Sequence, residues 1–593
     1  MTDRRFSAPD LARRLLAPIA ALLGLVVGLS VLILPSPAPT TADPTTFSAE
    51  RAMASINRLA DEPHSVLRRE AHDRARDDVI SMFANLGYTA NVHSDPLFDF
   101  SIPEDKETFD MLSTEQQAAV KDATADTIVV DVPGKSERTM ALMAHYDSAT
   151  VEGTENDEQS YSSGTSHGAA DDGYGVAAII ETLRAIKAEG RQPENSLKIV
   201  ITDGEEIGLV GARNEMRHHR ADYDNVDLFL NLEARGMSGP AFMFETSPNN
   251  SAVAGYFLSH VKQPVTGSLL PSLYARMPNT TDMAKVIPEG FTVLNIAAIG
   301  EADHYHHATD APRYVNHSTL QHYGDQVLDL TRAWAFDGQT PTLTANGDLH
   351  FFQLWRGMTV SYPATVGTGL GCLAIIAALG VVVVRARSLR WKRVLGTVWG
   401  LTWRAASVSA AAGLVQLGAM AMKWAPETGI GPNPLLPWMF AGGALIGAGL
   451  TAHFVVRRWK EGLGQETLAA VLLLLAAACV PLMVLLPGAA YVLVLPTLTL
   501  ALTALAPQRV RPVVGALAAF IMVVIFAPTV LLIHELLSLS AVWVTVFFAI
   551  VPVAPLALVL LQAGSRRTAR GAGTASGAAH NSTPVVGQVA ATV

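Results

Sequence analysis

Hydrophobic residues divide the chain into three parts. Residues 15–34 form an uncharged run that is long enough to cross a hydrocarbon layer of about 30 Å. Apolar positions recur at helical spacing among many charges in residues 47–87, and short apolar runs then alternate with helical patterns as far as residue 340. From residue 363 to 562 the chain is again apolar in long stretches. The pattern therefore predicts a soluble domain between two membrane-type regions.

The soluble domain, residues 47–340, is predicted to belong to the α/β class. Near-continuous apolar strand patterns alternate in it with amphipathic helical patterns, which is typical of a mostly parallel, buried sheet. The predicted strands are 127–132, 139–145, 196–202, 226–233, 240–245 and 291–299. The predicted helices are 174–188, 208–219, 250–261 and 317–336. A Pro/Thr-rich linker, residues 35–46, joins the domain to the N-terminal run.

Seven further apolar spans follow the soluble domain, and with residues 15–34 they predict about eight transmembrane helices. The seven are 364–384, 396–422, 435–456, 466–486, 488–506, 513–535 and 540–562. Lysine and arginine concentrate in alternate connections, whereas the intervening connections contain only Lys423. By the positive-inside rule, residues 1–14 and 563–593 lie in the cytoplasm and the soluble domain lies on the extracytoplasmic side.

The N-terminal run has a second interpretation, as a cleaved signal peptide, because the sequence PAPTTA follows it. The run is long for the apolar region of a signal peptide, which favours an uncleaved anchor. Both alternatives send the soluble domain out of the cytoplasm. The C-terminal tail, residues 563–593, is rich in Gly, Ser and Thr and is predicted to be disordered.

The composition argues against nucleic acid as a partner. The 593 residues carry a formal net charge of -10, and the soluble region shows no basic stripe interleaved with aromatic residues. Half of the residues are hydrophobic and the mean hydropathy is +0.27, as expected where soluble and membrane parts share a chain. Cys372 and Cys479 both lie in apolar runs, so they leave the redox compartment undetermined.

Histidine and acidic residues recur where the predicted strands end. In chain order these residues are His145, Asp147, Glu205, Glu206 and Glu233. Because an α/β sheet places its ligand-binding groups at the carboxyl ends of its strands, we expect these side chains to meet. A solvated loop is the alternative for each motif taken alone.

Two further groups enlarge this set. Asp171 and Asp172 precede a predicted helix. One interpretation is that one of them caps this helix; the other is that one bridges two cations while its neighbour supports the loop. Three histidines follow the last predicted strand outside any helical pattern, which favours metal binding: His304, His306 and His307. Together these residues supply two histidines and three carboxylates, one of them shared, and leave one glutamate free. Such a set is typical of a site for two divalent metals about 3.5–4 Å apart.

The order of these motifs resembles the M28 family of zinc aminopeptidases. The motifs are H-x-D, G-A-x-D-D, E-E-x-G, L-x-L-E and Y-H-x-x-x-D, and they extend over residues 145–310. The layout of anchor, soluble domain and multiple spans is most similar to the membrane-bound branch of that family, which includes endoplasmic-reticulum and vacuolar-membrane metallopeptidases. The resemblance implies a phosphorylase/hydrolase-like α/β sandwich with a mixed, mainly parallel sheet.

The resemblance also implies a role for each residue. The implied ligands of two divalent metals, with zinc the favoured ion, are Asp171 as the bridge, His145 and Glu233 on one metal, and Glu206 and His306 on the other. Glu205 would be the general base, and Asp147 would orient His145. The family often has a cis peptide after the bridging aspartate, so a cis bond to Asp172 is expected.

His306 is preferred over His304 and His307 because it alone gives H-x-x-x-D with Asp310. Glu233 stands where some members of the family have Asp. No residue is assigned to the oxyanion.

The implied reaction is hydrolysis at the free N-termini of peptides. One alternative is a glutaminyl-cyclase-like transferase, which works with one zinc ion. Another is an inactive ectodomain or a transport-associated membrane protein, and the retained ligand set speaks against an inactive ectodomain. His534 and Glu535, at the outer end of a predicted span, are interpreted as interface residues.

Overall fold

A mixed seven-stranded sheet forms the centre of the soluble part. The computed structural model describes residues 8–151, 161, 164–277, 280–338, 342–421, 436–537 and 542–564. Within them the strands are β1 (Asn91–Pro96), β2 (Thr124–Val132), β3 (Ser136–His145), β4 (Asn195–Thr202), β5 (Val226–Ala234), β6 (Ser238–Thr246) and β7 (Val293–Gly300). Their order is β1-β2-β4-β3-β5-β7-β6.

The four central strands, β4, β3, β5 and β7, pair in parallel. The outer strands β1, β2 and β6 are joined to them through antiparallel pairings. Parallel pairing directs the carboxyl ends of all four central strands to the same edge of the sheet.

Helices cover both faces of the sheet. The helices of the soluble part are α2 (Ala49–Leu59), α3 (Arg69–Asn85), α4 (Pro103–Met111), α5 (Thr114–Val120), α6 (Gly173–Ala188), α7 (Val210–His218), α8 (Ser251–His260), α9 (Leu269–Tyr274), α10 (Met283–Val286) and α11 (His317–Phe336), and α1 (Ala8–Leu29) precedes them. On one face Tyr174 of α6 and Trp334 of α11 are buried with Leu142 of β3. On the other, Met216 of α7 and Val286 of α10 share a cluster with neighbouring strands. Burial on both faces explains why the strand sequences are apolar almost throughout.

The C-terminal region is helical. Its helices are α12 (Ala364–Arg385), α13 (Trp391–Ala421), α14 (Leu436–Lys460), α15 (Gly464–Leu485), α16 (Tyr491–Leu505), α17 (Arg511–Leu537), α18 (Val542–Ile550) and α19 (Val553–Gly564). In the described part of the chain, five helical stretches are long and apolar enough to cross a membrane: Leu11–Leu32, Ala364–Ser388, Gly464–Leu485, Arg511–His534 and Val542–Gly564.

Each predicted span overlaps helix in the described residues, but the predicted count of about eight stays a prediction. The apolar helix α16 is shorter than a usual span. Helices α13 and α14 adjoin residues 422–435, which are outside the described residues, as is the predicted tail from residue 565 onward.

The soluble part meets the C-terminal helices through α9 and a hairpin of β8 (Leu349–Trp355) and β9 (Met358–Pro363). The hydroxyl of Ser268 donates to the carbonyl of Gly488 at 2.7 Å. The ring of Phe352 stacks on that of Tyr491 with centroids 5.0 Å apart, and Leu269 is buried in the same apolar cluster. We call these five residues the α9 seam.

The predicted elements of the soluble part are observed, with ends that differ by about three residues or fewer. The sequence pattern missed β1, because its residues are mostly polar and lie at an exposed edge of the sheet. It also missed the β8–β9 hairpin and the short helices α4, α5, α9 and α10. These elements lack the length or the apolar periodicity by which a pattern is recognised.

Candidate metal centre

The carboxyl ends of the parallel strands bring the predicted site residues together. β3 ends at His145, and Glu233 is the penultimate residue of β5. Glu205 and Glu206 follow β4 in a short turn, and His306 lies in the loop after β7. Residues far apart in the chain therefore meet at one edge of the sheet.

The carboxylate of Asp171 lies between two histidines. Its Oδ1 is 3.3 Å from Nε2 of His145, and its Oδ2 is 3.3 Å from Nε2 of His306. Glu233 Oε2 lies 4.0 Å from the first nitrogen, and Glu206 Oε2 lies 3.1 Å from the second. Two groups result, each with its ligand atoms within 4.8 Å of one another, and they share Asp171.

The charge of this cluster fits divalent cations. Five largely buried acidic residues gather around two histidines: Asp171, Glu205, Glu206, Glu233 and Asp282. Oε1 of Glu206 is buried without a hydrogen-bond partner. Because buried carboxylates are costly unless they are paired or bind metal, the surplus negative charge calls for cations. Imidazole nitrogens together with carboxylate oxygens suit zinc.

The pKa shifts distinguish Asp171 from the other acids. Burial raises the pKa of Glu205 and of Glu233 well above the ordinary value, and it raises the pKa of Glu206 to about 7. Burial also acts on Asp171, but His145 and His306 outweigh it and hold the pKa of that carboxyl below its usual range. Asp171 is thus the acid that the histidines already keep ionised.

Asp147 contacts the Glu205–Glu206 turn as well as His145. Its Oδ1 and Oδ2 accept hydrogen bonds from the backbone N–H groups of Glu205 and Glu206, both at 3.1 Å. Nδ1 of His145 lies 3.0 Å from the backbone carbonyl oxygen of Asp147 and 3.5 Å from Oδ1. The contact to the turn was not predicted from the sequence.

Neighbouring groups fix the segment that carries Asp171. The backbone N–H of Ala170 donates to Asp310 at 2.7 Å. Asp172 caps α6, because its Oδ1 accepts from the N–H of Gly175 at 3.0 Å. The peptide bond between Asp171 and Asp172 is cis, as the resemblance implied.

Among the three candidate histidines, His306 joins the metal-binding groups found in the described residues. It is buried, whereas His304 and His307 are partly exposed. Nδ1 of His304 lies 3.0 Å from the carbonyl oxygen of Thr309.

Two buried acids near the centre were missed by sequence reasoning. The hydroxyl of Thr202 donates to Asp282 at 2.5 Å, and burial raises the pKa of Asp282 to about 6. Asp203 accepts from Tyr146 at 2.9 Å and lies 3.1 Å from Nε2 of His72. Asp282 lies in no predicted strand or helix, so only the folded chain reveals its place.

A cavity extends from the carboxylates toward α9. Glu205 and Glu233 lie at its charged end, with Tyr305 beside them, and Phe244 and Tyr274 form part of its apolar wall. A charged end next to an apolar wall is suited to a ligand with a polar reacting group and an apolar side chain.

Paired His/carboxylate groups that share one carboxylate are an arrangement that can hold two divalent metal ions. Residues 127–331 match the model of peptidase family M28. The similarity to the M28 metallopeptidases is therefore a property of the soluble part, to which apolar helices of membrane type are joined.

Curated relatives include membrane proteases. A vacuolar membrane protease of Lodderomyces elongisporus is 29% identical over 210 residues, covering 35% of this chain and 20% of the relative. A vacuolar membrane protease of Yarrowia lipolytica is 24% identical over 334 residues, with shares of 53% and 30%. Endoplasmic reticulum metallopeptidase 1 of Mus musculus is 23% identical over 219 residues, with shares of 36% and 24%. The matched part of the chain thus spans less than a third of each relative.

Solved structures are more distant. A Zn-dependent exopeptidase from Parabacteroides distasonis has a TM-score of 0.36 at 19% identity, covering 48% of this chain and 98% of its own. A glutaminyl cyclase from Porphyromonas gingivalis has the same TM-score and coverage at 17% identity. Similarity at this level does not distinguish one activity from the other.

Proposed function

We propose that the chain is a membrane-anchored exopeptidase that removes N-terminal residues from peptides with the help of two divalent metal ions, favoured to be zinc. The position of Asp171 between His145 and His306 carries this proposal, since each carboxylate oxygen faces a different histidine at 3.3 Å. One metal would be held by His145 and Glu233, and the other by Glu206 and His306.

Two zinc ions bound there would acidify a water molecule and polarise the scissile carbonyl group. Glu205 would take the proton from the attacking water and return it to the leaving amine. Burial and the neighbouring carboxylates raise the pKa of Glu205, and two bound cations would act in the opposite direction, so that the carboxylate could accept the proton. Asp147 would hold Glu205 and Glu206 in place through their backbone N–H groups.

The pair of metal-binding groups favours this reaction over a glutaminyl-cyclase-like transfer, which works with one zinc ion. It also disfavours an inactive ectodomain, because such a domain has no need of a buried surplus of carboxylates. The finer fold assignment, a phosphorylase/hydrolase-like sandwich over residues 47–340, remains part of the proposal.

The test is hydrolysis of amino-acyl arylamides by the full chain in detergent, wild type beside Glu205→Gln. We expect the substitution to lower kcat by about 10²–10⁴-fold, because it removes the proton carrier, while bound zinc is retained. Glu289→Gln, which alters an exposed glutamate away from the centre, is the matched control and should behave as wild type.

An unchanged kcat in Glu205→Gln would remove that residue as the base. A wild-type chain that binds no divalent metal would overturn the proposal as a whole. Cyclisation of N-terminal glutamine by the same preparation, without peptide hydrolysis, would replace it with the transferase.

A further inference from the structure

A second histidine cluster lies between the edge strand β1 and helix α7. Nδ1 of His93 is 3.0 Å from Oε1 and 3.1 Å from Oε2 of Glu215. Nε2 of His219 is 2.9 Å from Oδ2 of Asp95. One ligand atom from each of His93, Glu215 and His219 lies within 4.8 Å of the other two. None of these residues belongs to the candidate metal centre.

The spacing of these residues builds a site from two rigid elements. His93 and Asp95 are two apart on β1, so their side chains leave the same face of the strand. Glu215 and His219 are four apart at the end of α7, where side chains lie above one another. The strand face and the helix face oppose each other across this cluster.

The charges favour a cation over bound protons. Glu215 is fully buried, and among the described side chains it contacts His93 and the hydroxyl of Tyr223, which donates at 2.6 Å. The rings of His93 and His219 stack with centroids 3.9 Å apart. Two protonated rings at that distance repel each other, so protons cannot neutralise both carboxylates cheaply.

The distances are also close to those of a coordination shell. With metal–ligand bonds of about 2.0–2.1 Å, neighbouring ligand atoms of a tetrahedral zinc ion lie about 3.3 Å apart. The His93–Glu215 distances approach that value, so small side-chain shifts would admit an ion. Asp95 would fix the ring of His219, as carboxylates commonly do for histidines that bind metal.

We propose that His93, Glu215 and His219 form a structural zinc site that joins β1 to α7, with water in the remaining position. The ion would brace α7, which follows the Glu205–Glu206 turn in the chain. The proposal does not depend on peptidase activity, because none of its residues lines the cavity beside Glu205.

The test is the zinc content of the full chain after metal removal, reloading with zinc and exhaustive dialysis. We expect the double variant His93→Asn and His219→Asn to bind about one zinc ion fewer per chain than wild type. His218→Asn, which alters the exposed neighbour of His219, is the matched control and should bind as much as wild type. Zinc should also raise the Tm of wild type more than that of the double variant.

Equal zinc content in wild type and a folded double variant would overturn the proposal and leave only an ion-paired cluster. If the double variant does not fold, the single variant His219→Asn replaces it, since that residue is partly exposed. Cobalt(II) supplies an independent measurement, because loss of a histidine ligand should alter its visible absorption bands. A spectrum that is identical in wild type and His219→Asn would also contradict the site.

Discussion

One carboxylate, that of Asp147, holds the Glu205–Glu206 turn at both of its backbone N–H groups. Adjacent glutamates in a short turn would otherwise be free to exchange orientations. Because the two acceptor oxygens bind successive N–H groups, the turn is fixed before any substrate arrives. The division of labour proposed for the two glutamates therefore depends on a third residue.

Replacing Asp147 with Asn should disturb this turn while preserving the volume of the side chain. An amide has one acceptor oxygen, so its NH₂ group would face a backbone N–H donor. We expect kcat to fall by about 10–100-fold, as is typical when a supporting partner of a metal site is lost, with a smaller change in KM. Steady-state kinetics and zinc content would be measured together.

Asp224→Asn is the control for this variant, because Asp224 is exposed and its ion pair, with Arg220, lies away from the centre. A kcat for Asp147→Asn within the range of this control would mean that the turn does not need the carboxylate.

At the residue scale, the sequence singled out residues that the fold brings together, but it did not reveal the contacts that join them. His145 and Glu233 were recognisable because each lies at the end of an apolar run. Asp282 was not, since its contact with Thr202 joins residues that are 80 positions apart. Such contacts depend on the fold and leave no local pattern.

At the scale of elements, α11 fixes the end of β5. The hydroxyl of Tyr323 accepts from the backbone N–H of Glu233 at 2.7 Å and donates to the carbonyl oxygen of the same residue at 3.0 Å. The hydroxyl of one buried tyrosine thus forms hydrogen bonds with both the N–H and the carbonyl group of Glu233, a proposed metal ligand.

Tyr323→Phe should leave the N–H of Glu233 without its partner. We expect the free energy of unfolding to fall by about 1–3 kcal/mol, the usual cost of an unsatisfied buried group. Zinc binding should also weaken, because β5 is less well fixed at its end. Denaturant unfolding in detergent and zinc titration would check the two effects.

Tyr256→Phe separates these effects. The hydroxyl of Tyr256 donates to the carbonyl of Leu330 in α11, away from the centre, at 3.1 Å. This variant should lose some stability and no zinc affinity. Equal loss of zinc affinity in both variants would show that general loosening, and not the position of Glu233, is responsible.

Strands and helices were predicted correctly from the sequence where burial produced a recognisable pattern of apolar residues. The central strands are covered by helices on both faces, so their sequences are apolar runs that stand out. β1 consists mostly of polar residues at exposed or partly exposed positions, and its pairing with β2 is what makes it a strand. His93 of the second cluster lies in β1 and was missed for the same reason.

At the scale of the whole molecule, the side of the membrane on which each part lies is open to direct measurement. In a chain with Cys372 and Cys479 replaced by Ser, we expect Glu107→Cys to react with an impermeant maleimide added to intact cells. Lys460→Cys should react only after lysis, because basic connections remain in the cytoplasm. The reverse labelling would invert the proposed orientation, and labelling of both before lysis would contradict the arrangement of spans.

The α9 seam determines how the molecule can be divided. Leu269 and Phe352 are buried against the C-terminal helices, while Leu270, the next residue of α9, lines the cavity that contains Glu205. A fragment that contains only the soluble part would lose the contacts that support α9, which forms one wall of the cavity. It would also expose apolar surface that promotes aggregation. Purification in a lipid-like environment is therefore a condition for measuring the specificity of the proposed peptidase.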